Sequence, residues 1–373
     1  MPIDLEKIQV SITKTGFELE YKIGNLLRQN GWHLISNRCY IDDLEGTVRE
    51  IDLLAYKVSS VKDFLVYTVI IISCKKNESN AWALLSRPIE EKDPNYNWRP
   101  FKGWSNHPAL KYYMGSKSWP ISYHEKLSDE CPSLFEAPAV DVFAFQEMSK
   151  ANGTSQNDKN IFASITSLMK AQSYEMSILE NRQKEKKRVY QFNLISLIDS
   201  ELVRVFFDEE KITATLVDSE DYLCRYILNK SEEIARIKFV SANAFPGMLE
   251  EYSKLHAKNL DVFAVNHEKF YSDAYKTWAK SKLLIEDLRK ALRTPLTQAR
   301  YKYDKRYVEF TDVGTFWHTA EQRLIIELEH ESITGEMIAS LNQDADLKAT
   351  TATALSDIYH YVGEFAFDEG IIF

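Results

Sequence analysis

The stretch VIIISCKKN (69–77) runs from apolar residues straight into a lysine pair. A lysine that surfaces at the end of a buried strand either answers a nearby carboxylate or stretches its ammonium to water. Such a strand end reads as a catalytic strand, as a degraded copy of one, or as an ordinary exit. Carboxylates that could meet it precede it in the chain. In REIDLLAY (49–56), period-2 alternation sets Glu50, Asp52 and Leu54 on one face and Ile51 and Leu53 on the other. Ser73 and Lys75 likewise share a face. In TGFELEYKIGNLLRQNGW (15–32), Glu20 falls inside the sector bounded by Phe17, Ile23 and Leu27. A carboxylate on that core side is costly unless something positive is near. Glu20, Asp52 and Lys75 are acids and an ammonium, groups able to move a proton or hold a cation.

The elements that must position them can be read from periodicity. Residues 15–32 predict a helix closed by Gly31, with Leu19, Ile23, Leu26 and Leu27 on its apolar sector. Its polar stripe carries Glu18, Lys22, Asn25 and Gln29. Strands are expected over 32–41, 50–56 and 64–74, the loop DDLEGTVR joining the first two as a hairpin. The third is apolar on both faces, as a central strand should be. An irregular, aromatic- and proline-rich segment spans about 86–157. A long amphipathic helix, KNIFASITSLMKAQSYEMSILENRQKEKK, follows it. Next come the strand VYQFNLISLID, the hairpin LVRVFFDEEKITATLVD and the strand IARIKFVSA. Beyond Pro246 a Lys/Glu-rich helix is expected to about Arg300, then a small α+β unit ending in a helix.

In this order the motifs resemble the restriction-endonuclease-like nucleases, the PD-(D/E)XK superfamily. The similar branch reads G-x-x-x-E on its first helix and E-I-D-hydrophobic and E-C-K-K on its strands. Gly16 and Glu20, then Glu50-Ile51-Asp52-Leu53-Leu54, then Ser73-Cys74-Lys75-Lys76 carry the match. The likeness is tight over about 13–85 and looser over 158–245. It implies an α/β fold, a mixed central sheet flanked by helices. Residues 1–245 would form the nuclease-like domain, with an insertion at about 86–157, and 246–373 an accessory helical and α+β domain.

The resemblance also implies roles. Phosphodiester hydrolysis needs a divalent metal, magnesium or manganese, on hard oxygen ligands. Asp52 would bind it, Lys75 would assist the attacking water, and Glu20 would sit at the edge of the metal shell. Ser73 departs from the pattern, putting a neutral hydroxyl where the family has an acid. Either the second carboxylate has moved, to Glu50, Glu78 or Glu20, or the site is dead and the fold persists as a module binding nucleic acid or a protein. Lys75 may alternatively be only a solvated strand end. The implied function is DNA cleavage in restriction or defence against foreign DNA.

The net charge of −9 requires any nucleic-acid surface to be local. Residues 94–124 contain no acid and carry Arg99, Lys102, Lys111 and Lys117 among Trp98, Trp104, Trp119 and several tyrosines. Cations interleaved with aromatics suit a base-stacking surface, and equally a compact insertion packed on the core. The cluster NRQKEKKR (181–188) is expected to end the long helix, where cations are favoured by the dipole. On that helix, Lys170 and Tyr174 are candidates to face the site.

Cys39, Cys74, Cys131 and Cys224 form no CxxC pair, and no HExxH occurs, which argues against a zinc site or a disulfide framework. Neither a signal peptide nor a membrane-spanning run is evident, so a cytoplasmic protein is expected. A protein partner, or self-association through the C-terminal region, is a further expectation.

Overall fold

The computed structural model describes residues 4–42, 46–90, 92, 96–182, 186–307, 309–310, 312–330 and 333–370. A short helix α1 (Leu5–Thr13) precedes α2 (Gly16–Gln29), whose Leu19, Ile23 and Leu27 are buried at helical spacing. Gly31, at φ +74°, ends it in the left-handed conformation that glycine adopts freely. Strands β1 (His33–Ile41), β2 (Val48–Val61) and β3 (Phe64–Lys76) then form an antiparallel meander. Of the joining hairpin loop, residues 43–45 lie outside the described residues.

The chain continues through β4 (Asn80–Arg87), β5 (Gly103–Ser105), α3 (Pro108–Met114), α4 (Trp119–Ser128), α5 (Pro132–Phe135) and β6 (Asp141–Ser149). Helix α6 (Lys159–Ser177) leads into β7 (Lys187–Asp199), which pairs parallel to β3 along its whole length. β8 (Leu202–Phe207) and β9 (Ile212–Val217) form the expected hairpin. β10 (Ser219–Leu228) and β11 (Ser231–Ser241) form a second one. The larger sheet runs β1-β2-β3-β7-β11-β10, with β5 also paired to β7. Through short turns, β3 and β7 continue into β4 and β8, the parallel centre of a sheet ordered β6-β4-β8-β9.

Val69 to Cys74 of β3 are buried without a break, because helices cover both faces. Ile161, Ile165, Leu168 and Met169 of α6 pack with Val69, Ile71 and Leu194 on one face. On the other, α7 (Phe245–Tyr271) is pinned by its polar groups. Asn259 Nδ2 donates to Thr68 Oγ1 at 2.9 Å, and Tyr123 Oη donates to Asn259 Oδ1 at 2.6 Å. The His256 ring lies 3.0 Å from both Ser59 Oγ and Thr68 Oγ1.

These bonds explain why the break expected at 246 falls elsewhere. The chain divides into one unit of 1–107 and 114–263 and another of 108–113 and 264–373. Pro246 marks only the first turn of a helix, where its missing N–H costs nothing, and the first half of α7 belongs to the larger unit. In the smaller unit, α8 (Trp278–Ser281) and α9 (Ile285–Asp304) are followed by β12 (Asp312–His318), β13 (Arg323–Glu329), α10 (Gly335–Gln343), α11 (Ala345–Tyr359) and β14 (Phe365–Glu369). Leu288, Leu292 and Leu296 of α9 share a core with Leu324, Ile326 and Leu355. The last element is a strand rather than the expected helix: β14 pairs parallel to β13.

Leu27 is fully buried and Tyr21 is 70% exposed. In urea unfolding, Leu27→Ala is expected to lose about 2–5 kcal/mol, and Tyr21→Ala to stay within about 0.5 kcal/mol of the parent.

Candidate functional site

The β2–β3 ladder runs from Val61↔Phe64 to Leu53↔Ile72 and stops one residue short of Asp52. On the other side of β2, the β1 ladder pairs Ser36 with Leu53 and Arg38 with Ile51, and the position between, Asn37 against Asp52, drops out. Asn37 has φ +55°, a left-handed conformation that asparagine tolerates better than most residues. Asp52 therefore sits where its strand loses regular pairing on both sides. Its carboxylate takes over part of the missing bonding. Cys74 N–H donates to Asp52 Oδ2 at 2.7 Å, and Ser73 Oγ donates to the same oxygen at 3.2 Å.

Lys75 Nζ lies 3.6 Å from that oxygen, a charge contact rather than a hydrogen bond. Glu20 joins the group from α2. Burial, then the nearby Asp52 charge, pushes its carboxyl up to about 7, with Lys75 pulling it down and Glu50 adding to the rise. Glu50 itself is exposed and accepts from Asn37 Nδ2. The structure thus brings Glu20, Asp52, Ser73 and Lys75 together, with Glu50 at the rim. Gly16 is not forced by crowding: a Cβ there would lie 3.8 Å from Glu20 Oε1, an ordinary contact.

The two lysines that end β3 have different fates. Lys76 donates to Thr13 O at 2.7 Å and lies 3.4 Å from Glu18, 3.6 Å from Glu78 and 3.7 Å from Asp199. Partial desolvation opposes its charge, yet Asp199, Glu18 and Glu78 hold the ammonium above its ordinary value. Glu78, a candidate for the displaced acid, is engaged there and not with Asp52. Cys74 is buried, and burial first, then the Asp52 and Glu20 charges, push its thiol well above the usual range. It is no nucleophile.

The residues expected to contact nucleic acid are scattered in their roles. Lys170 reaches inward, donating to both oxygens of Asp42, at 2.9 and 2.7 Å, where Asp42 is 2% exposed. Lys102 pairs with Glu233. Arg99 lies 3.6 Å from Glu125 and stacks over Trp98 at 4.3 Å. Trp104 packs edge-on to Tyr190, ring centroids 6.1 Å apart. Lys111 and Lys117 are exposed, and Lys111 belongs to the segment that clusters with the smaller unit. The aromatic rings largely build the insertion's own core: Trp119 and Tyr123 are buried, packed with Phe101 and Phe263. Residues 94–95 lie outside the described residues.

The basic cluster at 181–188 does not end α6. The helix stops at Ser177, the buried Leu179 folds the chain back, and Arg182 pairs with Glu175 at 3.3 Å. Residues 183–185 lie outside the described residues. Asn37 and Asp42 escaped the sequence reading. A left-handed asparagine opposite a strand acid has no signature in a single sequence, and Asp42 looks like a loop residue until its partner is known.

Comparison with family models, with curated proteins and with solved structures returned no match. Among the described residues, no helix is long and apolar enough to cross a membrane.

Two measurements check this geometry. In metal-free buffer, Glu20 stays neutral in the folded chain until about pH 7 but ionises near its ordinary value of 4.5 when unfolded. Its contribution is therefore full below 4.5 and is lost as pH rises through about 7. Glu20→Gln should match the parent at pH 4 and exceed it at pH 8. After solvent screening of this partly exposed group, the gain is on the order of 1 kcal/mol, read by thermal unfolding at each pH. For the inner pair, Lys170→Met should cost roughly 2 kcal/mol in chemical denaturation by removing the nearer of the two cations on Asp42, Arg49 lying 3.5 Å from it, and adding Asp42→Asn should recover part of it.

Proposed function

We propose that the larger unit is a metal-dependent, restriction-endonuclease-like nuclease that hydrolyses phosphodiester bonds in DNA, in restriction or defence against foreign DNA. The fold reading is supported by the order α2-β1-β2-β3-α6-β7 with strands neighbouring as β1-β2-β3-β7, and by motif residues meeting at one strand end. The observation that carries the function is the pair of mutually repelling carboxyls, Glu20 and Asp52, beside Lys75. Acids held together at a cost are what a divalent cation relieves.

The donor set fits such an ion, since Asp52, Glu20 and Glu50 offer the hard oxygens that magnesium or manganese takes. Asp52 would hold it with Glu20 in the place of the motif acid, and Glu50 at the rim. When bound, the cation supplies polarisation of the phosphate and acidification of water. The chain's own groups do the rest. Asp52 is fixed through Oδ2 by Cys74 N–H and the Ser73 hydroxyl, so its carboxylate cannot rotate away. The Lys75 ammonium is placed to orient an attacking water and to offset charge developing on the phosphate. Lys76 is spent on holding α1 and α2 to the end of β3.

Ser73 favours a second reading, a catalytically inactive module of this fold that binds nucleic acid or a protein partner, because its neutral hydroxyl gives Asp52 a hydrogen bond where an acid would give a ligand. One assay separates the two. Supercoiled plasmid with Mg²⁺ or Mn²⁺ should be nicked by the parent, and at least about a hundredfold more slowly by Asp52→Ala and Lys75→Ala. Unchanged cleavage in Asp52→Ala would overturn the assignment. An inert parent that gains cleavage as Ser73→Glu would establish the inactive module instead.

A further inference from the structure

Away from this site, the far side of β7 has a gap. β5 pairs with Val189 to Gln191, β11 with Leu194 to Ile198, and between them Phe192 N–H donates to Lys102 O at 2.9 Å. A cavity of about 50 Å³ opens there, lined among others by His124, Gln172, Asp221, Arg236, Lys238 and Tyr252.

Its polar groups do not balance. Arg236 Nη2 donates to Asp221 Oδ2 at 2.5 Å, and Lys238 Nζ lies 2.8 Å from Asp221 Oδ1. One buried carboxylate therefore faces both a guanidinium and an ammonium. Among the described residues, Arg236 Nε and Nη1 and Gln172 Nε2 have no hydrogen-bond acceptor, and Gln172 is 3% exposed. His124 Nε2 donates to Pro100 O at 3.2 Å, so its Nδ1, buried and without a partner among the described residues, is an acceptor but one that brings no negative charge. The ring is uncharged at neutral pH, since burial first, with Arg236 and Arg99 adding, pushes it down to about 4. What the chamber lacks is an acceptor with a negative charge. Water could satisfy the donors but not the excess cation.

Size narrows the choice. A water needs roughly 10–15 Å³ of such volume, so the cavity of about 50 Å³ holds about three to five water-sized groups, which accommodates the three or four heavy atoms of a carboxylate or nitrate. Five-atom, tetrahedral phosphate is at the upper limit of that volume. We propose that this chamber is a binding site for a small planar oxyanion, typified by acetate, held by Arg236, Lys238 and the Gln172 amide. The site is independent of the nuclease reading.

Thermal unfolding of the full chain at pH 7, in chloride-free buffer at fixed ionic strength set with a bulky sulfonate, tests it. Acetate, formate, nitrate and phosphate are titrated separately. The expected result is a saturable rise in Tm with acetate, formate or nitrate, a weaker one with phosphate, and at least tenfold weaker half-saturation in Gln172→Leu. Gln172→Glu supplies an internal carboxylate, so it should unfold at or above the Tm of the saturated parent and ignore added acetate. Three results would each overturn the proposal: no saturable shift (a chamber holding water only), an equal shift in Gln172→Leu, or a Gln172→Glu chain that unfolds below the anion-free parent.

Discussion

A single carboxylate oxygen, Asp52 Oδ2, holds the candidate site together. It lies where β2 parts from β3 and where Asn37 leaves the β1 ladder, so an extended backbone is left short of partners at the end of a central strand. A buried N–H without an acceptor costs about 1–3 kcal/mol, and Cys74 N–H escapes that cost through Asp52. The splayed strands create the opening, and the acid that fills the hydrogen-bonding deficit is the same acid that could meet a ligand. The contacts to Ser73, Cys74 and Lys75 all fall on Oδ2, leaving Oδ1 as the oxygen available to a cation.

The lysine pair after Cys74 shows how strand alternation divides labour. Neighbouring residues on a strand point to opposite faces, so Lys75 and Lys76 meet different surroundings although they are adjacent in sequence. Lys76 reaches the C-terminal turn of α1 and several carboxylates, a bonding pattern that anchors helices. Lys75 has Asp52 as its ion-pair partner among the described residues. An ammonium with a lone, long contact is freer to answer a phosphate than one surrounded by acids. What surrounds Lys76 thus leaves Lys75 as the lysine that the proposed chemistry can use.

Strong local periodicity made α2 and the β1–β3 meander legible in the sequence, and the joint spacing of Glu20, Asp52 and Lys75 survived into space. What could not be read depended on distant partners. Lys170 reads as a candidate to face the site until Asp42 arrives from a loop far earlier in the chain. Trp119 and Tyr123 look like a stacking surface until Phe263 of α7 closes over them. The end of α6 was misplaced because Lys and Glu continue a helical composition past Ser177, whereas burial of Leu179 turns the chain. Pro246 was mistaken for a boundary because a proline ends one element and starts another with equal ease. The Asn37 irregularity is a backbone property that residue type permits but does not announce.

Electrostatics limit how the proposed DNA substrate could be held. The chain carries a net charge of −9, which opposes long-range attraction to phosphate, and three of the five cations expected to compensate locally are already paired. Lys102 answers Glu233, Lys170 answers Asp42, and Arg99 answers Glu125. Phosphate affinity gained by releasing counterions scales with the number of free cations brought to the backbone, and each of these pairings lowers that number. Neutralising a carboxylate pair with a divalent ion changes the local balance more than any of these side chains can, because it cancels the charges of Glu20 and Asp52 and leaves the Lys75 ammonium in excess at the proposed phosphate position. For an acidic protein of this construction, substrate binding and cation binding become one event: without the ion, the site repels the polymer it is proposed to cut.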